Sequence, residues 1–144
     1  MVRRDLKLIA GVGLFALLVG ALAFIALNRE PGPSPLGRWD LILVETPDGT
    51  IEAGTGEGWI EIDDGTFRGE MECVDFEGTY QLGGVSGFMP DSWSHTWLCD
   101  SLVGSGEAFD LYFGNIGTYR VDDNLSLESP DGSVRFVFVR EGQA

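Results

Sequence analysis

The 144 residues, 44% of them hydrophobic, provide for one ordinary domain and leave no length for a second. Nine basic residues stand against 23 acidic ones; beyond residue 27, six arginines and no lysine face 22 carboxylates, a net charge of −16. A surface of that sign repels nucleic acid and anionic lipid, so neither is expected as a partner of this part of the chain. A solvated face is the plain reading, with high-salt adaptation or attraction of cations and basic partners as alternatives.

In chain order, residues 1–7 carry Arg3, Arg4 and Lys7 against Asp5. Residues 8–27, "LIAGVGLFALLVGALAFIAL", hold no charge and would span about 30 Å as a helix, the hydrocarbon thickness of a bilayer. Residues 8–20 also fit a signal-peptide core, with Ala21-Leu22-Ala23 as a small-residue cleavage site. Residues 24–27 favour an uncleaved anchor, because a cleaved product would begin with an apolar tetrapeptide. The basic flank keeps the N-terminus cytoplasmic and sends the rest outside. No cysteine follows the apolar run, which rules out a lipoprotein anchor, and a basic start followed by so long an uncharged run argues against a buried core helix. Residues 28–35, "NREPGPSP", hold half of the six prolines and predict an extended spacer.

The rest, residues 36–141, is dominated by period-two alternation. Phe67, Gly69, Met71 and Cys73 point one way while Arg68, Glu70 and Glu72 point the other, as in a strand with one wet face. The same pattern predicts strands at 38–45, 59–63, 66–73, 79–82, 92–99, 118–121, 124–128 and 133–140, an antiparallel all-β arrangement. Asp64-Gly65 reads as a two-residue hairpin link whose positions suit positive φ. "ETPDGTI" and "ESPDGSV" both read as type I turns with a glycine bulge. Phe109, Tyr112, Phe113 and Ile116 instead define a helical stripe, predicting a short helix over 106–113 entered through Ser105 and closing one side of the sheet.

The pieces "LGRWDL" (36–41), "FRGEMECVDFEGTY" (67–80), "TWLC" (96–99) and "EAFDLYFGNIGTYRVDDNLSLESPDGSVRFVF" (107–138) resemble, in order and spacing, the META domain family of HslJ-like heat-inducible envelope proteins. Val74 departs from the asparagine usual after the first cysteine. The resemblance implies a compact, barrel-like β fold with one helix, exported or membrane-anchored, without established catalytic residues. It also implies a place in envelope stress or antibiotic tolerance.

Cys73 and Cys99, the two cysteines of the chain, occupy the family's cysteine positions. A disulfide between them suits strand ends in an exported segment, where oxidised pairs persist; two separately buried thiols are the alternative. A Cys/His nucleophile is disfavoured: His95 and Cys99 on one extended strand sit about 13 Å apart, and acidic surroundings raise a thiol's pKa. No zinc spacing is present. Asp63, Asp64, Glu70, Glu72, Asp122 and Asp123 offer oxygen ligands for calcium, but without the spacing of a calcium loop; no metal or cofactor is assigned. Trp93, His95 and Trp97, within "FMPDSWSHTW", form a possible ligand rim. Two classes follow: a non-catalytic envelope domain acting through a protein or cell-wall contact, or a small-ligand or calcium-binding barrel. A filled interior favours the first and an open cavity past Trp93 and Trp97 the second.

Overall fold

The computed structural model describes residues 33–84, 86–101 and 103–143. The predicted membrane span at 8–27 lies outside them, and among the described residues no helix is long and apolar enough to cross a membrane. The strands are β1 (Gly37–Thr46), β2 (Gly49–Glu52), β3 (Gly58–Asp63), β4 (Thr66–Met71), β5 (Val74–Gln81), β6 (Met89–Trp97), β7 (Thr118–Val121), β8 (Leu125–Glu128) and β9 (Arg135–Arg140). Between β6 and β7 lie one helix, α1 (Gly104–Tyr112), and a 3-10 turn (Phe113–Asn115).

All nine strands join one antiparallel sheet in the order β6-β5-β4-β3-β1-β9-β8-β7, with β2 paired to β1 off that path. The sheet curls into a half-barrel until the segment before β6 meets β7. There Gly87 bridges Thr118, Tyr119 N–H donates to Ser86 at 2.7 Å, and Phe88 N–H donates to Gly117 at 3.1 Å. The mainly antiparallel β architecture is therefore as the alternation predicts, and the one short helix as the aromatic stripe predicts.

The inward residues make one aromatic core. Phe76 stacks on Phe109 at 4.1 Å, Phe109 on Phe113 at 4.4 Å, and Phe67 meets Phe113 edge-on at 5.4 Å. Phe88, Phe136 and Phe138 are buried with them. Burying each ring stabilises the fold by about 1.5–3 kcal/mol, which explains why so short a helix holds.

Several boundaries differ from the sequence reading, each for a physical reason. Strand β4 stops at Met71, and the two-residue link Glu72-Cys73 turns the chain straight into β5, so residues 74–78 are strand. Gly78 is mid-strand: it stands opposite Phe67, while Gly69 stands opposite Phe76. A Cβ on Gly78 would come within 2.8 Å of the Phe67 ring, and one on Gly69 within 2.5 Å of the Phe76 ring. Each glycine gives its cross-strand phenylalanine room to fold over the sheet. Strand β2 escapes the pattern because only Ile51 of its four residues is even half-buried.

Strand β6 begins three residues before the predicted 92 and ends before Leu98, and β9 begins at Arg135 after the turn at Ser129–Gly132. Helix α1 starts at Gly104, so Ser105 is buried in its first turn and is not its cap. At Asp64-Gly65 only Gly65 takes positive φ. The predicted spacer ends early, since Pro35 is buried and its carbonyl accepts the Trp39 indole N–H at 2.8 Å. The Arg140 guanidinium lies 3.8 Å over Trp39 and donates to the Leu36 carbonyl, joining the domain's entry to its last strand.

Candidate functional site

Cys73 and Cys99 are joined in a disulfide, with Cα atoms 5.4 Å apart across 26 residues of sequence. Their sulfurs are therefore neither nucleophile nor metal ligand. The bond ties the β4–β5 turn to the loop between β6 and α1, and Leu98 N–H reinforces it by donating to the Cys73 carbonyl at 2.7 Å. Closing that loop stabilises the fold by about 3 kcal/mol through the entropy of the unfolded chain.

Beside it, Glu72 has a role that its place among the acidic residues did not reveal. At φ 52 it is the only non-glycine residue with positive φ among the described residues. Its carboxylate accepts from Gly106 N–H at 3.4 Å. Val103, at the helix start, has no capping side chain, so this distant carboxylate supplies an acceptor to the positive end of α1. Gly104, at φ 57, leaves room for it, because a Cβ there would stand 2.9 Å from Glu72 Oε2. Turn, disulfide and helix start form one junction.

Strand β6 carries the predicted rim. Trp93, His95 and Trp97 pair with Gly78, Phe76 and Val74, so all three lie on the inward side of the sheet. Trp93 packs edge-on against Phe109 and Phe113 at 5.6 and 5.9 Å and is half-buried. His95 lies 5.2 Å from Trp93 and stacks on Trp97 at 6.1 Å. Trp97, the outermost, is 56% exposed, as is its neighbour Leu98. From α1, Asp110 Oδ1 meets His95 Nε2 at 3.2 Å. With about a third of each side chain in water this contact contributes at most about 1 kcal/mol. The structure thus brings the three rim residues into a continuous aromatic ladder and adds Asp110 from another element.

Among the described residues Phe109 and Phe113 fill the interior at Trp93, behind the ladder. Open grooves cross the outer surface of the sheet. The larger, of about 460 Å³, runs across β3 to β6 between Glu61, Asp63, Glu77 and Ser92, with Arg68 engaged by Glu61 inside it. The carboxylates weighed for calcium are dispersed. Asp63 and Asp64 sit at the β3–β4 turn, Glu70 and Glu72 at the end of β4, and Asp122 and Asp123 between β7 and β8. Among the described residues no three His, Cys, Asp or Glu side chains converge as a metal site would require.

Perturbed acidities mark structural contacts. Asp131, in the turn before β9, is held down to about 2 by hydrogen bonds from Ser133 N–H and the Ser129 and Ser133 hydroxyls. Glu45 is lowered by its hydrogen bond with Arg135. Tyr80 is raised by burial, its hydroxyl donating to the Asp63 carbonyl at 2.8 Å. None of these three lies on the ladder.

Fold and junction define a class: a curled antiparallel sheet with a filled interior, closed by one helix and stapled by one disulfide. No family model matches the chain, and no curated protein matches its sequence. Among solved structures, it is similar to an NMR structure of a protein from Burkholderia xenovorans, at 14% identity and a TM-score of 0.56. That match covers 81% of this chain and 96% of the other. A crystal structure of a DUF4847 family protein from Bacteroides vulgatus also matches, at 19% identity and a TM-score of 0.49, over 75% of this chain and 94% of that one. At such identity the Burkholderia likeness establishes a shared fold and carries no activity with it.

Proposed function

We propose that the chain is a META-like envelope domain of non-catalytic type, tethered by residues 8–27 with its N-terminus in the cytoplasm and its β domain outside. It acts through contact with another protein or a cell-wall component, in the stress or antibiotic-tolerance setting that the resemblance implies. The observation that carries this reading is the filled interior: with aromatic rings occupying the half-barrel, recognition falls to the surface. The oxidised cysteine pair supports an extracytoplasmic site, since such bonds persist outside the reducing cytosol. The pair also joins the two cysteines of the motif, and the curled sheet with its single helix agrees with the fold that the resemblance implies.

Membrane fractionation followed by protease treatment of intact cells tests the placement. The expected outcome is a full-length, membrane-bound chain cut from outside, with an unreduced peptide linking Cys73 to Cys99. A cytosolic chain with free thiols overturns it, and a secreted chain beginning near residue 24 replaces the tether with a cleaved leader.

A further inference from the structure

One end of the sheet path is β7, bridged at Thr118 by the segment before β6; the other is β6, which from Trp93 to Trp97 has a strand neighbour on one side only. The hydrogen bond from Leu98 N–H to the Cys73 carbonyl sets the phase of the ladder. With that phase, Ser92, Ser94 and Thr96 exchange bonds with β5, and the N–H and C=O groups of Trp93, His95 and Trp97 point to the open edge. Among the described residues no backbone group meets them there.

Sheet edges are ordinarily protected by charge, proline or a bulge. Strand β6 has these only at its start, with Pro90, Asp91 and the register shift at Thr79/Tyr80. Residues 92–98, "SWSHTWL", contain no charge and no proline. In a domain so acidic this is a stretch of edge without a carboxylate of its own, ready to pair.

The surroundings select what pairs with it. A strand added at about 4.8 Å would place one set of side chains beside Ser92, Ser94 and Thr96, about 10 Å from Asp75 and Glu77 on β5 and within reach of their field. The alternate set would lie against the exposed His95–Trp97 stack. Asp91 and Asp100 flank the stretch, and the cations in the cross-strand row that ends at Ser94, Arg68 and Arg38, are already paired with Glu61 and Glu141. A second copy would bring an equal negative charge to the same edge.

We propose that the open edge of β6 binds an extended segment of a partner protein, alternating cationic with apolar side chains, as an added strand. This rests on the reading of the chain as a contact-making domain and names the chemistry of the contact.

The test uses the full chain in detergent and a synthetic peptide of about eight residues alternating lysine and valine. At low salt, hydrogen exchange at the His95 and Trp97 amides slows about tenfold or more. The protection is lost at about 0.5 M salt, and a glutamate–valine peptide gives none. His95→Pro removes an outward N–H while leaving the bonds to β5, so it abolishes protection at the Trp97 amide with the disulfide and the far-ultraviolet circular dichroism intact. His95→Asn retains it. Equal protection by the glutamate peptide, or none by the lysine peptide, overturns the proposal. Protection that rises with protein concentration alone also overturns it, giving the edge to a second copy. These readings use purified protein, so they stand or fall separately from the cellular placement.

Discussion

Strands β5 and β6 are paired almost residue for residue, yet their inward faces differ. On β5, Val74, Phe76 and Tyr80 are buried; on β6, the partners of Val74 and Phe76 are the exposed Trp97 and His95. Alternation alone does not decide burial, because a third layer is needed to cover the inward face. Helix α1 and the 3-10 turn bring Phe109 and Phe113 over Phe76 and Trp93 and stop short of Trp97. The same lid that seals β5 leaves the end of β6 open.

The comparison is broken most directly by removing the lid's main ring. Phe109→Ala is expected to cost about 3–5 kcal/mol by urea denaturation, through lost burial and a cavity against Phe76. Trp97→Ala is expected to stay within about 0.5 kcal/mol, as for other surface positions. Comparable losses would mean that Trp97 is covered after all. Next in size, replacing Cys73 and Cys99 by serine frees the β5 start from the β6 end and should lower stability by about 3 kcal/mol. Because the chain without the crosslink unfolds to a more expanded state, the denaturant slope should rise as the midpoint falls.

The smallest effect concerns Tyr80, whose phenol is pushed above the ordinary 10.0 by burial. Its neutral form is favoured by the fold, so its contribution is complete below pH 10 and declines as pH rises through 10 toward the higher folded value. Ultraviolet titration should find one tyrosine ionising late, and Tyr80→Phe should flatten the alkaline fall in stability. A phenol that titrates at its ordinary value would place β5 in water alongside β6.

Much of this arrangement was legible in the sequence wherever side chains alternate against a covered face, as at Phe67 to Met71 or Phe136 to Phe138. The helical stripe of Phe109 and Phe113 was legible too, since its period differs from that of its surroundings. Gly78 fell between the predicted strands because a glycine carries no apolar signal, while its true role depends on a ring across the sheet. Strand β2 was silent because it borrows its order from β1. Glu72 was one acidic residue among many, and its hold on α1 depends on a helix 34 residues away. The rim residues were legible as a group, but the exposure gradient from Trp93 to Trp97 and the arrival of Asp110 depend on where the lid ends.

The clamp of Arg140 on Trp39 and Leu36 bears on mechanics. A pull applied at residues 33–36 reaches the domain at β1, which lies between β3 and β9 rather than at a margin. Rows of bonds on both flanks then share the strain in shear, whereas a margin strand would peel away one bond at a time. Force applied at residues 33–36 is thereby directed into a strand bonded on both sides, and the margin at β6 lies away from it.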